Sequence, residues 1–162
     1  MHKRTIIPYA SASLNKLDAD VGISLPAGWD NQERLYVVPR FLIIGAQKSG
    51  TTALKRWLSV HPELQTIPLE PHFFDEVTDL ENDWQRYVIN PYFYLRDPEQ
   101  VRFTFEKTPD YFDKSNSCGV PAASLVKTMV PSGKFIVLLR NPTERAYSVF
   151  KMRIRQLVAP RQ

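Results

Sequence analysis

The stretch from Phe41 to Trp57, Phe-Leu-Ile-Ile-Gly-Ala-Gln-Lys-Ser-Gly-Thr-Thr-Ala-Leu-Lys-Arg-Trp, restricts the fold more than any other part of the sequence. Phe41 to Ile44 are four consecutive apolar residues and read as a buried strand. Gly45 and Gly50 bracket a short loop. Thr51 and Thr52 open a helix that carries Ala53, Leu54, Trp57 and Leu58 at helical spacing on one side. Strand, glycine-containing loop and helix N-terminus together form a phosphate cradle. The loop amides donate hydrogen bonds and the helix end adds partial positive charge. Lys48 adds a full charge inside the loop. The bland alternative is a βα turn that binds nothing, and the crowding of Lys48, Ser49, Thr51 and Thr52 argues against it.

The loop departs from the nucleotide-binding pattern G-x-x-x-x-G-K-[ST]. Gly45 and Gly50 keep its spacing, and Thr52 stands where a Mg²⁺-binding hydroxyl belongs. The residue after Gly50 is Thr51 instead of lysine, and the lysine has moved back to position 48. The loop still cradles a phosphate, but its charge approaches from another angle, which speaks against an ATP–Mg²⁺ site.

Along the chain, residues 1–39 show no sustained period and are punctuated by Pro26, Gly28 and Pro39. They read as an N-terminal extension to a domain spanning 40–162. Pro62 ends the first helix near His61. Leu64 to Ile67 is a second strand, parallel to the first. Residues 80–88 read as a helix, and Trp84, Tyr87, Tyr92, Phe93 and Tyr94 read as core aromatics in preference to a sugar-binding platform. Arg102 to Glu106 alternates as a strand, Ala122 to Met129 is a short helix, and Lys134 to Leu139 is the most apolar strand. Asn141, Pro142 and Glu144 fit the N-cap, first position and capping-box acid of a last helix. Its buried stripe is expected at Ala146, Phe150 and Leu157. This order predicts an α/β fold with a central parallel sheet flanked by helices.

The 162 residues suffice for one domain with its own core. A net charge of +4 suits an anionic ligand, though solvated lysines explain it equally well. Nothing reads as a nucleic-acid-binding module. Cys118 is alone, so no internal disulfide forms. Pro8 interrupts the apolar residues after Met1-His2-Lys3-Arg4, so the start is not a signal peptide, and no run reaches transmembrane length.

Gln47-Lys48-Ser49-Gly50-Thr51-Thr52 resembles the 5′-phosphosulfate loop of sulfotransferases that use 3′-phosphoadenosine 5′-phosphosulfate (PAPS). Glu70-Pro71-His72-Phe73-Phe74-Asp75, Glu106-Lys107-Thr108-Pro109-Asp110-Tyr111-Phe112 and Leu139-Arg140-Asn141-Pro142-Thr143-Glu144-Arg145-Ala146-Tyr147-Ser148 are similar to that family too, in the family's order. The resemblance covers about residues 40–155 and is strongest to the Golgi carbohydrate sulfotransferases of the heparan and chondroitin type. It implies a P-loop-like core, PAPS as sulfonate donor without a metal, a glycan acceptor and a Golgi location. The chain shows no anchor, which leaves the cytoplasm open. The resembled family continues well beyond Gln162, so the sequence is expected to be its N-terminal portion.

The resemblance also assigns roles. Lys48 faces the 5′-phosphate, with Ser49, Gly50, Thr51 and Thr52 supplying amides and hydroxyls. Arg140 and Ser148 hold the 3′-phosphate; a salt-bridge role is the bland alternative for Arg140. Glu70 is the catalytic base, expected to be buried beside Phe73 and Phe74, and Pro71 replaces a branched apolar residue common there. His72 orients the acceptor or shares the proton. Lys107 and Asp75 contact the acceptor. Glu106 reads as a partner of Lys48 or a loop cap. Two alternatives remain at this point: a P-loop kinase or nucleotide hydrolase with Glu106 as a metal partner, and an inactive nucleotide-binding fragment.

Overall fold

The computed structural model describes residues 38–79, 83, 84, 87, 96, 97 and 99–158. Four strands form one parallel sheet. They are β1 (Phe41–Gly45), β2 (Leu64–Thr66), β3 (Phe103–Lys107) and β4 (Lys134–Val137), in the spatial order β2-β3-β1-β4. The helices are α1 (Thr51–Leu58), α2 (Phe73–Glu76), α3 (Ala122–Met129) and α4 (Pro142–Val158), with a 3₁₀ turn at Pro109–Phe112. The parallel α/β arrangement is the one expected. β1 and β2 are parallel but not adjacent, because β3 lies between them.

β1 is inside the sheet, which explains its unbroken apolar run. Leu42 and Ile43 point to opposite faces and both are fully buried. The Phe41 ring stacks on Phe105 of β3 with centroids 4.8 Å apart. Leu42 and Ile44 share one face, and on it they join Ile67, Phe73, Phe74, Tyr111, Ala122 and Val126 in the main core. Val38 packs against that core and Pro39 is buried, while residues 1–37 lie outside the described residues.

Asp83, Trp84 and Tyr87 are helical. Trp84 and Tyr87 pack on Phe73 at 5.9 and 4.6 Å between ring centroids, as core aromatics. The rest of that expected helix, and Tyr92, Phe93 and Tyr94, lie outside the described residues.

Three expectations of burial are corrected. In α1, Trp57 is 74 % exposed and Ala53 is exposed too. The inward stripe is Thr51, Leu54, Lys55 and Leu58, since the Lys55 ammonium donates to the Pro68 carbonyl at 2.6 Å and holds that face inward. β4 stops at Val137 and forms a sheet edge among the described residues, so Phe135 and Val137 are partly exposed and Leu139 is 79 % exposed. In α4, Ala146, Phe150 and Leu157 face solvent, with Leu157 at 81 %. The half-buried stripe is Arg145, Ser148, Val149 and Met152. Arg145 sets this rotation by donating from Nε to the Gln47 carbonyl at 2.9 Å and pairing with Asp113 at 3.5 Å.

Candidate active site

The loop after β1 is tied into the sheet. The Ala46 amide donates to the Leu138 carbonyl at 3.0 Å, and the Leu138 amide to the Gly45 carbonyl at 2.7 Å. Gly45 has no room for a side chain, because a Cβ would come within 2.5 Å of the Phe112 Cβ. Gly50 has φ 97°, a left-handed conformation that favours glycine. Lys48 is also left-handed, at φ 67°, held by its neighbours in a conformation that costs a non-glycine residue energy.

Two observations show that the cradle fits an anion. The Ser49 hydroxyl oxygen is buried and has no hydrogen-bond partner. No side chain caps the N-terminus of α1. A buried polar atom without a partner is costly, and a phosphate oxygen would satisfy both it and the free helix amides.

Lys48 and Ser148, 100 residues apart in sequence, line one cavity of about 410 Å³ together with Lys151, Met152, Arg155 and Gln156. The rotation of α4 brings them together. Arg140 is placed beside this cavity. Its Nη1 donates to the Lys48 carbonyl at 3.4 Å, and its Nε pairs with Glu144 at 3.1 Å. Asn141 caps α4, its Oδ1 accepting from the Thr143 and Glu144 amides at 3.0 and 3.3 Å. Glu144 turns to Arg140 instead of closing a capping box, because a guanidinium is the stronger partner.

On the other side of the loop, Lys107 ends β3 with its side chain 5 % exposed. Its ammonium pairs with Glu70 and donates to the Thr52 hydroxyl at 3.3 Å. Glu70 is not buried against the two phenylalanines. Its side chain is 36 % exposed, while the rings of Phe73 and Phe74 turn inward onto Tyr87 and Tyr111. The Thr52 hydroxyl, where a kinase-like loop would hold Mg²⁺, already faces an ammonium.

His72 adopts φ 51° just before α2. Its Nε2 lies 3.5 Å from Glu70 Oε2 and its Nδ1 3.0 Å from Asp75 Oδ2. Burial works against a charge on this ring, but the hydrogen bond to Asp75 and the surrounding carboxylates outweigh it and raise its pKa. Asp75 is 1 % exposed at its side chain, and in the site it contacts His72.

Glu106 neither pairs with Lys48 nor caps a loop. It is fully buried, and Tyr87 donates to its Oε2 at 2.7 Å. Desolvation pushes its pKa up to about 8 against the opposing pull of hydrogen bonds from Tyr87 and Tyr111. A neutral carboxyl turned into the core is a poor metal ligand, so Glu106 does not serve as the metal partner that the kinase reading assigned to it. Sequence reasoning missed this network, and it missed Gln47 Nε2 donating to Asp110 Oδ1 at 3.1 Å. No spacing rule links positions 63 residues apart. The one available signal was a carboxylate in the turn directly after a buried strand.

Known proteins share this sequence pattern and fold. A family model described as a sulfotransferase domain matches residues 38–159. The bifunctional heparan sulfate N-deacetylase/N-sulfotransferase 1 of Caenorhabditis briggsae is 36 % identical over 123 residues, covering 75 % of this chain and 14 % of its own length. The heparan sulfate glucosamine 3-O-sulfotransferase 6 of Mus musculus is 37 % identical over 112 residues, covering 68 % of this chain and 29 % of its own length. The chain therefore spans less than a third of the length of these two curated relatives. The crystal structure of a sulfotransferase from Alicyclobacillus acidocaldarius superposes with a TM-score of 0.55 at 25 % identity, covering 78 % of this chain and 54 % of that one. With a parallel sheet and a family match across most of its length, this chain belongs to the sulfotransferase family.

Proposed function

We propose that this chain carries the donor-binding core of a PAPS-dependent sulfotransferase that acts on a hydroxyl or amine of a glycosaminoglycan-like glycan. The observation that carries this reading is the shared neighbourhood of the loop and the acid–base pair. Lys107 reaches both Thr52 on α1 and Glu70, so the cradle and the candidate base meet at one ammonium.

The residues present fit the donor. Lys48, the Ser49 hydroxyl and the amides that open α1 would take the 5′-phosphate, with Arg140 and Ser148 assigned to the 3′-phosphate. Bound there, PAPS would supply an activated sulfonate on a phosphate leaving group. Lys48 neutralises the charge that grows on that phosphate, the kind of electrostatic stabilisation that lowers such barriers most. Glu70 accepts the proton leaving the acceptor oxygen or nitrogen. His72, held by Asp75, keeps Glu70 oriented, and the carboxylates around it favour its charged form facing an anionic acceptor. Lys107 also faces the acceptor side. The reaction asks for no metal.

The named relatives act on heparan sulfate by their descriptions, which supports a polyanionic glycan as acceptor. A Golgi lumenal location follows from the same likeness. No helix among the described residues is long and apolar enough to cross a membrane.

The test is a titration with 3′-phosphoadenosine 5′-phosphate and with ATP, each with and without Mg²⁺, followed by sulfonate transfer from labelled PAPS to desulfated heparan. Metal-independent binding of the 3′-phosphorylated nucleotide is expected. Preference for ATP–Mg²⁺ would refute the reading.

A further inference from the structure

We propose that Asp110 is a positioning residue that couples the donor loop to the His72–Glu70 pair, an inference that rests on the donor-binding reading of that loop. Asp110 sits in the 3₁₀ turn that leaves β3, three residues after the strand's last residue, Lys107, and is almost fully buried. Each of its oxygens is committed to a different side of the site. Oδ1 accepts from Gln47 Nε2 of the donor loop at 3.1 Å. Oδ2 pairs with the Lys114 ammonium, which also lies 3.7 Å from Asp75 Oδ2. Asp75 bonds His72, His72 approaches Glu70, and Glu70 pairs with Lys107. Lys107 reaches Thr52 on the helix that the same loop opens. The circuit thus leaves the loop at Gln47 and returns to it five residues later.

The arrangement has a definite electrostatic logic. Lys114 is shared between Asp110 and Asp75, so Asp110 draws the ammonium away from Asp75 and leaves that carboxylate free to hold His72. His72 also faces Glu70 and Glu76, with Glu106 behind it in the core, and all of these except the buried neutral Glu106 favour its charge. Lys107 and Lys114 oppose it through the carboxylates they bind. Removing the charge of Asp110 deprives His72 of one anion and releases Lys114 onto Asp75. Both changes act in the same direction and lower the pKa of His72. Removing Lys114 acts the other way.

The experiment uses the full chain and the variants Asp110→Asn, Asp110→Ala and Lys114→Met. Two quantities are measured: affinity for 3′-phosphoadenosine 5′-phosphate by calorimetry, and the titration of the His72 imidazole by NMR, assigned through its loss in His72→Gln. Asp110→Ala deletes the acceptor for Gln47 and should weaken nucleotide binding about threefold to tenfold. Asp110→Asn keeps that acceptor and should stay within about twofold. Asp110→Asn should titrate His72 at lower pH than the unmodified chain, and Lys114→Met at higher pH. A merely structural role does not produce opposite shifts from two neighbouring residues. Shifts of the same sign, an unmoved His72 in Asp110→Asn, or undiminished binding in a folded Asp110→Ala would overturn the proposal. If the unmodified chain binds no nucleotide, the donor reading fails, and the paired His72 titrations still decide the coupling.

Discussion

The carboxylate of Glu70 is paired with the ammonium of Lys107, and this pair stands where the start of α1 meets the segment after β2. A carboxylate so held is fixed in place, and if Glu70 is the proposed base it must yield part of that contact to take a proton from an acceptor.

Glu70→Gln keeps the shape of the side chain and removes the proton acceptor. Turnover should fall by about 10²–10⁴, the usual range for general base catalysis. Binding of 3′-phosphoadenosine 5′-phosphate should survive, since the loop at Lys48 and the residues at Arg140 do not depend on Glu70. Lys48→Ala should weaken both, because it meets the phosphate in ground and transition states. Single-turnover kinetics with calorimetry separate the two cases. Normal turnover in Glu70→Gln would move the base to His72.

Arg140 and Ser148 lie on the far side of the loop from Glu70. The chain should bind the 3′-phosphorylated nucleotide more tightly than ADP, and Arg140→Ala should erase about 1.5–3 kcal/mol of that preference, the worth of a charge-assisted hydrogen bond. Competition binding measures it. Equal affinities for the two nucleotides would show that Arg140 serves only its pair with Glu144 and the Lys48 carbonyl.

Glu106 makes stability depend on pH. Its folded pKa is about 8 against 4.5 for the ordinary group, so the folded state keeps a proton that the unfolded chain releases. The Glu106 contribution is full below about pH 4.5, declines as pH rises toward 8 and is lost above it. His72, also raised, adds a contribution present below its ordinary 6.5 and lost as pH passes its folded value. Denaturant unfolding from pH 5 to 8 should show the decline, with a Glu106 slope approaching about 1.4 kcal/mol per pH unit. Glu106→Gln should flatten it. An unchanged slope in that variant would mean Glu106 is ionised in the core.

Leu139, Tyr147, Phe150, Leu157 and Val158 are exposed on β4's outflow and α4. Apolar surface of this kind promotes self-association. The chain should bind an apolar dye and melt over a broad range. Leu139→Lys with Leu157→Lys should reduce dye binding without lowering the melting temperature, because neither side chain has core contacts to lose. A sharp monomeric melt without dye binding would contradict this.

What the sequence determined alone is what local chemistry dictates. A run of four apolar residues between breakers makes β1, Gly50 permits the left-handed step into α1, Asn141 caps α4, and the bounds of α3 at Ala122–Met129 follow from period and proline. These depend on dihedrals and on neighbours within a turn. Tertiary structure alone decided which stripe of α1 and α4 faces inward, that β4 takes an edge among the described residues, and that β3 separates β1 from β2. An apolar period says that a helix has two sides; the partner decides which side is covered. For α4 that partner is the Gln47 carbonyl, 98 residues away, and for Glu70 it is Lys107, 37 residues away. Glu106 shows the same limit: its position in a strand is legible, but its neutral state arises only because Tyr87 and the core close over it.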